Sequence, residues 1–396
     1  MWLVPIEDLS ADQAAAVAQD TSRNRIVVGG PGSGKTLVLA HRAQSMVEQR
    51  KLSRDRVRLL VYTNVLSAYI SEGLADLRME DICSTFDFWV RSELTRLGLP
   101  VPRGGQDRHE KARQRLRAHL EAASSTPYWD ALLVDEGQDL DSDALRILRL
   151  SARHVTLAMD DRQQLYDTDT DIAAACRALG VRRASAQLLS AYRCTPNIVR
   201  IAAEYLPTGE ARRQFRESNL MPISQRELPI ISTFQNAEEE LDALAEALRE
   251  RAFANQSSAV LLADNWRLKS AIAGLQRRGL AVRTRKDPSA GPEAPIALTY
   301  HSAKGLTVGS VFLPRLTSSA FKPYDPELVR RLLFVGITRA THWLWLGTVV
   351  PRPVYLEPIT AFAREGVLID GDLVPSRKVA APSLVADDHD DLMDLL

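Results

Sequence analysis

Residues 26–36 read Ile26-Val27-Val28-Gly29-Gly30-Pro31-Gly32-Ser33-Gly34-Lys35-Thr36, and the fold turns on this stretch. Three β-branched apolar residues predict a short buried strand. The next eight fit G-x-x-x-x-G-K-T, and an apolar helix is predicted to begin near Lys35. Gly29, Gly30, Gly32 and Gly34, with Pro31 and Ser33 between them, allow backbone N–H groups to turn inward around a phosphate. The helix N-terminus adds partial positive charge. Lys35 is expected to reach the β- and γ-phosphates of a nucleotide, and the Thr36 hydroxyl to ligate Mg²⁺. A glycine-rich turn without nucleotide is the bland alternative, and it leaves the flanking strand and helix unexplained.

A second piece of the same chemistry lies a hundred residues on. Leu132-Leu133-Val134-Asp135-Glu136 is an apolar strand ending in two carboxylates. Ligands sit at the carboxyl edge of an open α/β sheet. Asp135 is placed to hold Mg²⁺, and Glu136 to orient and deprotonate an attacking water. Similar short apolar runs occur at 59–62, 155–157, 258–263, 296–299, 311–313 and 343–346, interleaved with helical stretches. The pattern predicts an α/β protein in which a doubly wound parallel sheet occurs twice.

Composition sets the limits. The chain has 396 residues, 45% apolar and 25% charged, with 50 basic and 50 acidic side chains. That suggests two or three globular domains, and it excludes binding to nucleic acid through bulk positive charge. Cys83, Cys176 and Cys194 lack metal-ligand spacing, which fits a reducing cytoplasm. No charged leader precedes an apolar stretch, and no run approaches the ~20 apolar residues of a membrane span. A soluble cytoplasmic protein is expected.

Further motifs give the chain a family likeness. Asp135-Glu136-Gly137-Gln138-Asp139 has the D-E-x-Q-D form, and Leu9–Gln13, Val61–Asn64, Ser84–Phe88, Met159–Tyr166, Ser190–Arg193, Thr299–Leu306 and Arg330–Ala340 follow in register with it. In type and order these resemble the helicase motifs of the UvrD/Rep branch of superfamily 1, in a short form with reduced accessory domains. The resemblance implies two RecA-like P-loop domains with ATP and Mg²⁺ in the cleft between them. It also implies hydrolysis coupled to movement on single-stranded DNA, 3′ to 5′. Residue by residue, Gln13 would read the adenine edge, Tyr192 would stack on adenine, and Gly305 would join the nucleotide-binding set. Gln163 would sense the γ-phosphate, and Arg193 and Arg339 would reach it from the second lobe. Thr63, Asn64, Thr85, Phe86, Tyr166 and His301 fall on motifs that line the DNA track. Bland readings stand beside several of these: a core aromatic for Tyr192, a buried salt bridge for Arg339, a structural residue for His301.

The expected domains are residues 1–190, with a small helical insertion at about 91–128; residues 191–365; and a partly flexible tail, 366–396. Four departures from the family pattern matter. The spans that carry its large DNA-gripping insertions are short here. Tyr166 is followed by Asp167, Asp169 and Asp171 where an aromatic and an arginine would hold DNA. Thr307 replaces a ribose-binding glutamate, and Leu37 replaces an adenine-packing arginine. The basic stretch 103–121 is either a DNA contact or an exposed helix of scattered charge. A second function therefore competes with the motor: an ATPase subunit or switch in a larger complex, for example with a nuclease in DNA repair or antiviral defence.

Overall fold

The computed structural model describes residues 4–75, 78–105, 107–123, 126–160, 170–188, 194–217, 227–254, 256–284 and 294–371. Two six-stranded sheets divide these residues. The first contains β1 (Arg25–Gly29), β2 (Val57–Val61), β3 (Cys83–Thr85), β4 (Trp129–Val134), β5 (Ala152–Met159) and β6 (Ala186–Leu188). Their order is β3-β2-β4-β5-β1-β6, and every pairing is parallel. The second contains β7 (Ile230–Phe234), β8 (Ser258–Leu262), β9 (Ile296–Thr299), β10 (Val308–Leu313), β11 (Ala340–Val349) and β12 (Ile369–Asp370). Its order is β12-β7-β11-β10-β8-β9, again all parallel.

Parallel strands need crossover helices, and those helices cover both faces, so the central strands β2, β4, β8 and β10 are mostly buried and largely apolar. Successive side chains then serve opposite cores. In the first lobe Leu59 and Leu133 face Leu39, Met46 and Ile70, whereas Leu60 and Leu132 face Trp89, Leu116 and Leu148. The second lobe repeats the device. Leu261 and Leu313 belong to one core, and Val260, Leu262 and Phe312 to the other. The expected α/β architecture is the observed one.

β3, β6, β7 and β12 were not expected as strands; β3 and β6 have three residues each and β12 has two, too few to display a period. Two details of organisation are added. Within the stretch 91–128, Ala112 and Leu116 of the helix Arg108–Ala122 are buried with Trp89, Val90 and Leu94 of the helix Phe86–Arg96 in the first core. The first residues of the expected tail pack on the second lobe. Val367 and Leu368 are buried in the second core, β12 pairs with β7, and Gly371 N donates to Ile231 O at 3.0 Å. Two more apolar side chains to bury carry the ordered chain to at least Gly371. The expected boundary at 190 and the tail beyond 371 lie outside the described residues.

Candidate nucleotide site between the lobes

The carboxyl ends of β1, β4 and β5 deliver the phosphate loop, Asp135-Glu136 and Asp160 to one edge of the first sheet. Gly34 opens the helix Lys35–Glu48 with φ 84°, and a Cβ there would strike Gln13 Nε2. Glycine alone combines that left-handed backbone with that approach. Lys35 is buried, and its Nζ donates to Gly29 O (2.9 Å), Gly30 O (3.1 Å) and Asp160 Oδ2 (3.2 Å). Thr36 Oγ1 donates to Asp135 Oδ2 at 2.5 Å, which joins the two expected Mg²⁺ ligands. Ser33 Oγ is buried and lacks a hydrogen-bond partner among the described residues.

Glu136 sits in the left-handed region at φ 55°, a conformation that costs a non-glycine residue of order 1 kcal/mol. Its carboxylate is tied in place: Gln138 Nε2 donates to Oε2 at 2.5 Å, and Gln138 Oε1 accepts from Asp160 N at 2.9 Å. Burial pushes the Asp135 carboxyl up to about 6, with the adjacent Glu136 charge adding to the effect. Burial would raise Glu136 as well, but Lys304, Lys35 and Arg339 together hold it below its usual range.

The second lobe closes the cleft. Gly305 has φ 80°, and a Cβ on it would collide with Leu66 of the first lobe. Arg339 is 2% exposed and faces Pro31, Gly32, Gly34, Lys35, Thr36 and Glu136 across a narrow gap shared with Gly305. Its Nε donates to Val335 O (2.9 Å) and its Nη2 to Thr338 Oγ1 (3.0 Å). Lys304, 1% exposed, spans the lobes: its Nζ lies 2.6 Å from Asp139 Oδ2 and 3.5 Å from Glu136 Oε2. Those carboxylates keep its ammonium above the usual range against the opposing effect of burial.

Beside this gap lies a cavity of about 430 Å³, lined from the first lobe by Gln13, Leu37 and Leu66 and from the second by Thr307, Val308, Thr341 and His342, among others. The departures at 37 and 307 therefore face one space. Gln13 is held at both ends: Oε1 accepts from Ser10 N (3.0 Å), and Nε2 donates to Ser33 O (2.9 Å).

The expected DNA-side residues divide. Asn64 is exposed and His301 is half-buried, with burial and then Lys304 lowering the His301 imidazole. Thr63 and Thr85 accept through Oγ1 from Leu66 N (3.1 Å) and Phe88 N (3.3 Å) and so cap helices. Phe86, at 5% exposure with its ring 5.8 Å from Trp89, packs mainly as a core aromatic. Gln163, Tyr166, Tyr192 and Arg193 lie outside the described residues.

Sequence reasoning missed Lys304, Asp139, Gln138 and Asp160 as a buried network. The signal was available: three carboxylates in Asp135-Glu136-Gly137-Gln138-Asp139 need buried cations, and a lysine between two apolar strands needs buried anions.

Two parallel sheets facing each other across a phosphate loop, two carboxylates and an arginine define a two-lobed P-loop protein of the RecA-like type. Known proteins match parts of the chain. A model described as an AAA domain matches residues 13–168, and the UvrD-like helicase C-terminal domain matches residues 296–346. The ATP-dependent DNA helicase PcrA of Leuconostoc citreum is 36% identical over 78 residues, which is 20% of this chain and 10% of that helicase. The chain thus aligns with about a tenth of that relative's length. A solved C-terminal domain of a possible DNA helicase from Lactobacillus plantarum WCFS1 aligns with 46% of this chain and 99% of its own, at TM-score 0.36 and 19% identity. Over residues 296–346 the chain is similar to the C-terminal domain of UvrD-like helicases.

Proposed function

We propose that the chain hydrolyses ATP between its two lobes and uses the cycle to move along single-stranded DNA. The observation that carries this is the facing of Lys35, Thr36, Asp135 and Glu136 by Arg339 in one cleft. The residues fit a magnesium–triphosphate: a glycine cradle, a buried hydroxyl at Ser33 without a partner among the described residues, and an alcohol and a carboxylate already side by side. Thr36 and Asp135 would hold Mg²⁺, which when bound neutralises charge on the β- and γ-phosphate oxygens. Lys35 binds the triphosphate from one side. Arg339, with Arg193 on the family reading, stabilises γ-phosphate charge from the other, so lobe closure and hydrolysis are coupled. Glu136 orients the water and takes its proton. The cavity at Gln13, Leu37 and Thr307 has room for a nucleoside, and the loss of the arginine and glutamate there supports relaxed selection among nucleoside triphosphates.

A second reading, an ATPase subunit working within a repair or defence complex, has one observation behind it. The helix Arg108–Ala122 spends its charge internally: Arg113 pairs with Asp87 and Asp141, Arg117 with Asp143 and Glu121, and Lys111 with Asp107. Little of it is left over for a duplex, which supports weak unwinding by the chain alone. Location in the cytoplasm, 3′ to 5′ polarity and the domain limits near 190 and 371 belong to the same proposal. No helix among the described residues is long and apolar enough to cross a membrane.

The test is a titration of ATP turnover against single-stranded DNA at low salt, with Glu136→Gln as control. Stimulation by DNA, and a fall of at least about 100-fold in the variant, are expected. Turnover that ignores DNA would overturn the motor and leave the ATPase; an unimpaired variant would overturn the assignment of Glu136.

A further inference from the structure

A groove of about 660 Å³ runs along the helix Ile172–Leu179 on the first lobe, lined by Ile172, Cys176, Arg177, Val181, Arg182 and Arg183 among others. Residues 181–184 lead into the start of β6, whereas the phosphate loop leaves the end of the parallel strand β1. This end of the groove therefore lies toward the opposite edge of the sheet from the nucleotide cleft. Arg177, Arg182 and Arg183 are exposed, and Arg149 joins them, its Nη2 lying 3.6 Å from where a Cβ on Gly180 would be. None of the four makes an ion pair with a described carboxylate, whereas Arg54, Arg113, Arg117 and Arg146 of the same lobe do. Asp171, also in the lining, is engaged in capping the helix through Ala174 N (2.6 Å). In a chain whose charges sum to zero, three arginines in the lining with Arg149 nearby, none of them paired among the described residues, and an apolar floor suit an anionic, partly apolar occupant.

The chain contains such a segment. Residues 386–396 read Ala-Asp-Asp-His-Asp-Asp-Leu-Met-Asp-Leu-Leu, with five aspartates, three leucines and a methionine. We infer that this segment docks in the arginine-lined groove of the first lobe. Its aspartates meet Arg149, Arg177, Arg182 and Arg183, and its leucines cover Ile172, Val181 and Cys176. The 15 residues from Gly371 to Ala386 span up to about 50 Å when extended, which sets the reach of the segment from the second sheet. Because Gly371 is fixed to the second sheet, a docked segment bridges the lobes as a strap. That consequence rests on the two-lobed motor reading; the docking itself does not.

The experiment follows cleavage within 386–396 of the full-length chain by a protease that cuts at leucine, read by intact mass. The free peptide 386–396 serves as the unprotected reference. Protection of at least tenfold over the peptide is expected at low salt, lost in 0.5 M salt, where screening shortens to a few ångströms. It should also be lost in a chain carrying Arg177→Glu, Arg182→Glu and Arg183→Glu. Charge exchange guards against a folding artefact: adding Asp387→Arg, Asp388→Arg, Asp390→Arg and Asp391→Arg to that variant makes the segment cationic and should restore protection. Cleavage of the wild-type segment at the peptide's rate would overturn the inference, as would protection unchanged by the arginine substitutions. If the segment is unprotected but the arginine variant loses affinity for a single-stranded oligonucleotide, the groove serves nucleic acid instead. ATP turnover is not read, so failure here leaves the proposed function standing.

Discussion

At the scale of single residues, the site is a question of which buried charges have partners. Lys304 illustrates it. Its ammonium lies between Asp139 and Glu136 with 1% exposure, and removing one member of such a cluster leaves buried carboxylates without compensation. Lys304→Met should cost about 3–5 kcal/mol, read as a lowered midpoint of thermal unfolding. Adding Asp139→Asn should return part of the loss. A double-mutant cycle with coupling below about 0.5 kcal/mol would contradict the pairing. His154 gives a pH test. Burial, and then the neighbouring Arg42 charge, hold its imidazole down to about 3, against about 6.5 in an unfolded chain. The folded value is the lower one, so between about pH 3 and 6.5 the unfolded chain binds more protons and stability rises with pH. Acidifying from pH 7 to 5 should therefore cost wild type about 2 kcal/mol through this residue. His154→Gln should lack that share, and parallel stability–pH curves for the two proteins would refute it. These residues were hard to read in sequence because a lysine or histidine carries no local mark of burial. Lys35 and Glu136 were legible because phosphate chemistry fixes their spacing to glycine and strand.

Among elements, the helix Arg108–Ala122 shows how a basic sequence reads two ways. Its basic residues read as either a DNA contact or scattered surface charge, and Asp87, Asp141 and Asp143, distant in sequence, pair with Arg113 and Arg117. Only the packing of this helix on its neighbours brings those aspartates close. Replacing Arg113 and Arg117 by glutamine should change the slope of log affinity against log salt for single-stranded DNA by well under one, since each lost phosphate contact would change it by about one. A slope reduced by two would put both guanidiniums on the polymer. The long strands β4, β5, β10 and β11 were legible from apolar runs. β3, β6 and β12 were not, because two or three residues cannot show a period, and sheet edges are defined by their neighbours. Thr63 and Thr85 fell on motif positions, yet the structure uses their hydroxyls as helix caps.

For the whole molecule, the two-sheet architecture followed from alternating strands and helices, and the phosphate loop located the nucleotide. What sequence left open was how far the second lobe closes on the first. Gly305 against Leu66, Lys304 against Asp139 and Arg339 facing Lys35 answer that for the described residues, and all three depend on contacts between residues more than 150 positions apart. The account depends on one triphosphate being held by both lobes at once. A structure of the chain with Mg²⁺ and a non-hydrolysable ATP analogue tests this most directly. The account predicts a γ-phosphate within hydrogen-bonding distance of both Lys35 Nζ and the Arg339 guanidinium. An analogue gripped by the first lobe alone, with the Arg339 guanidinium out of reach of the γ-phosphate, would contradict it.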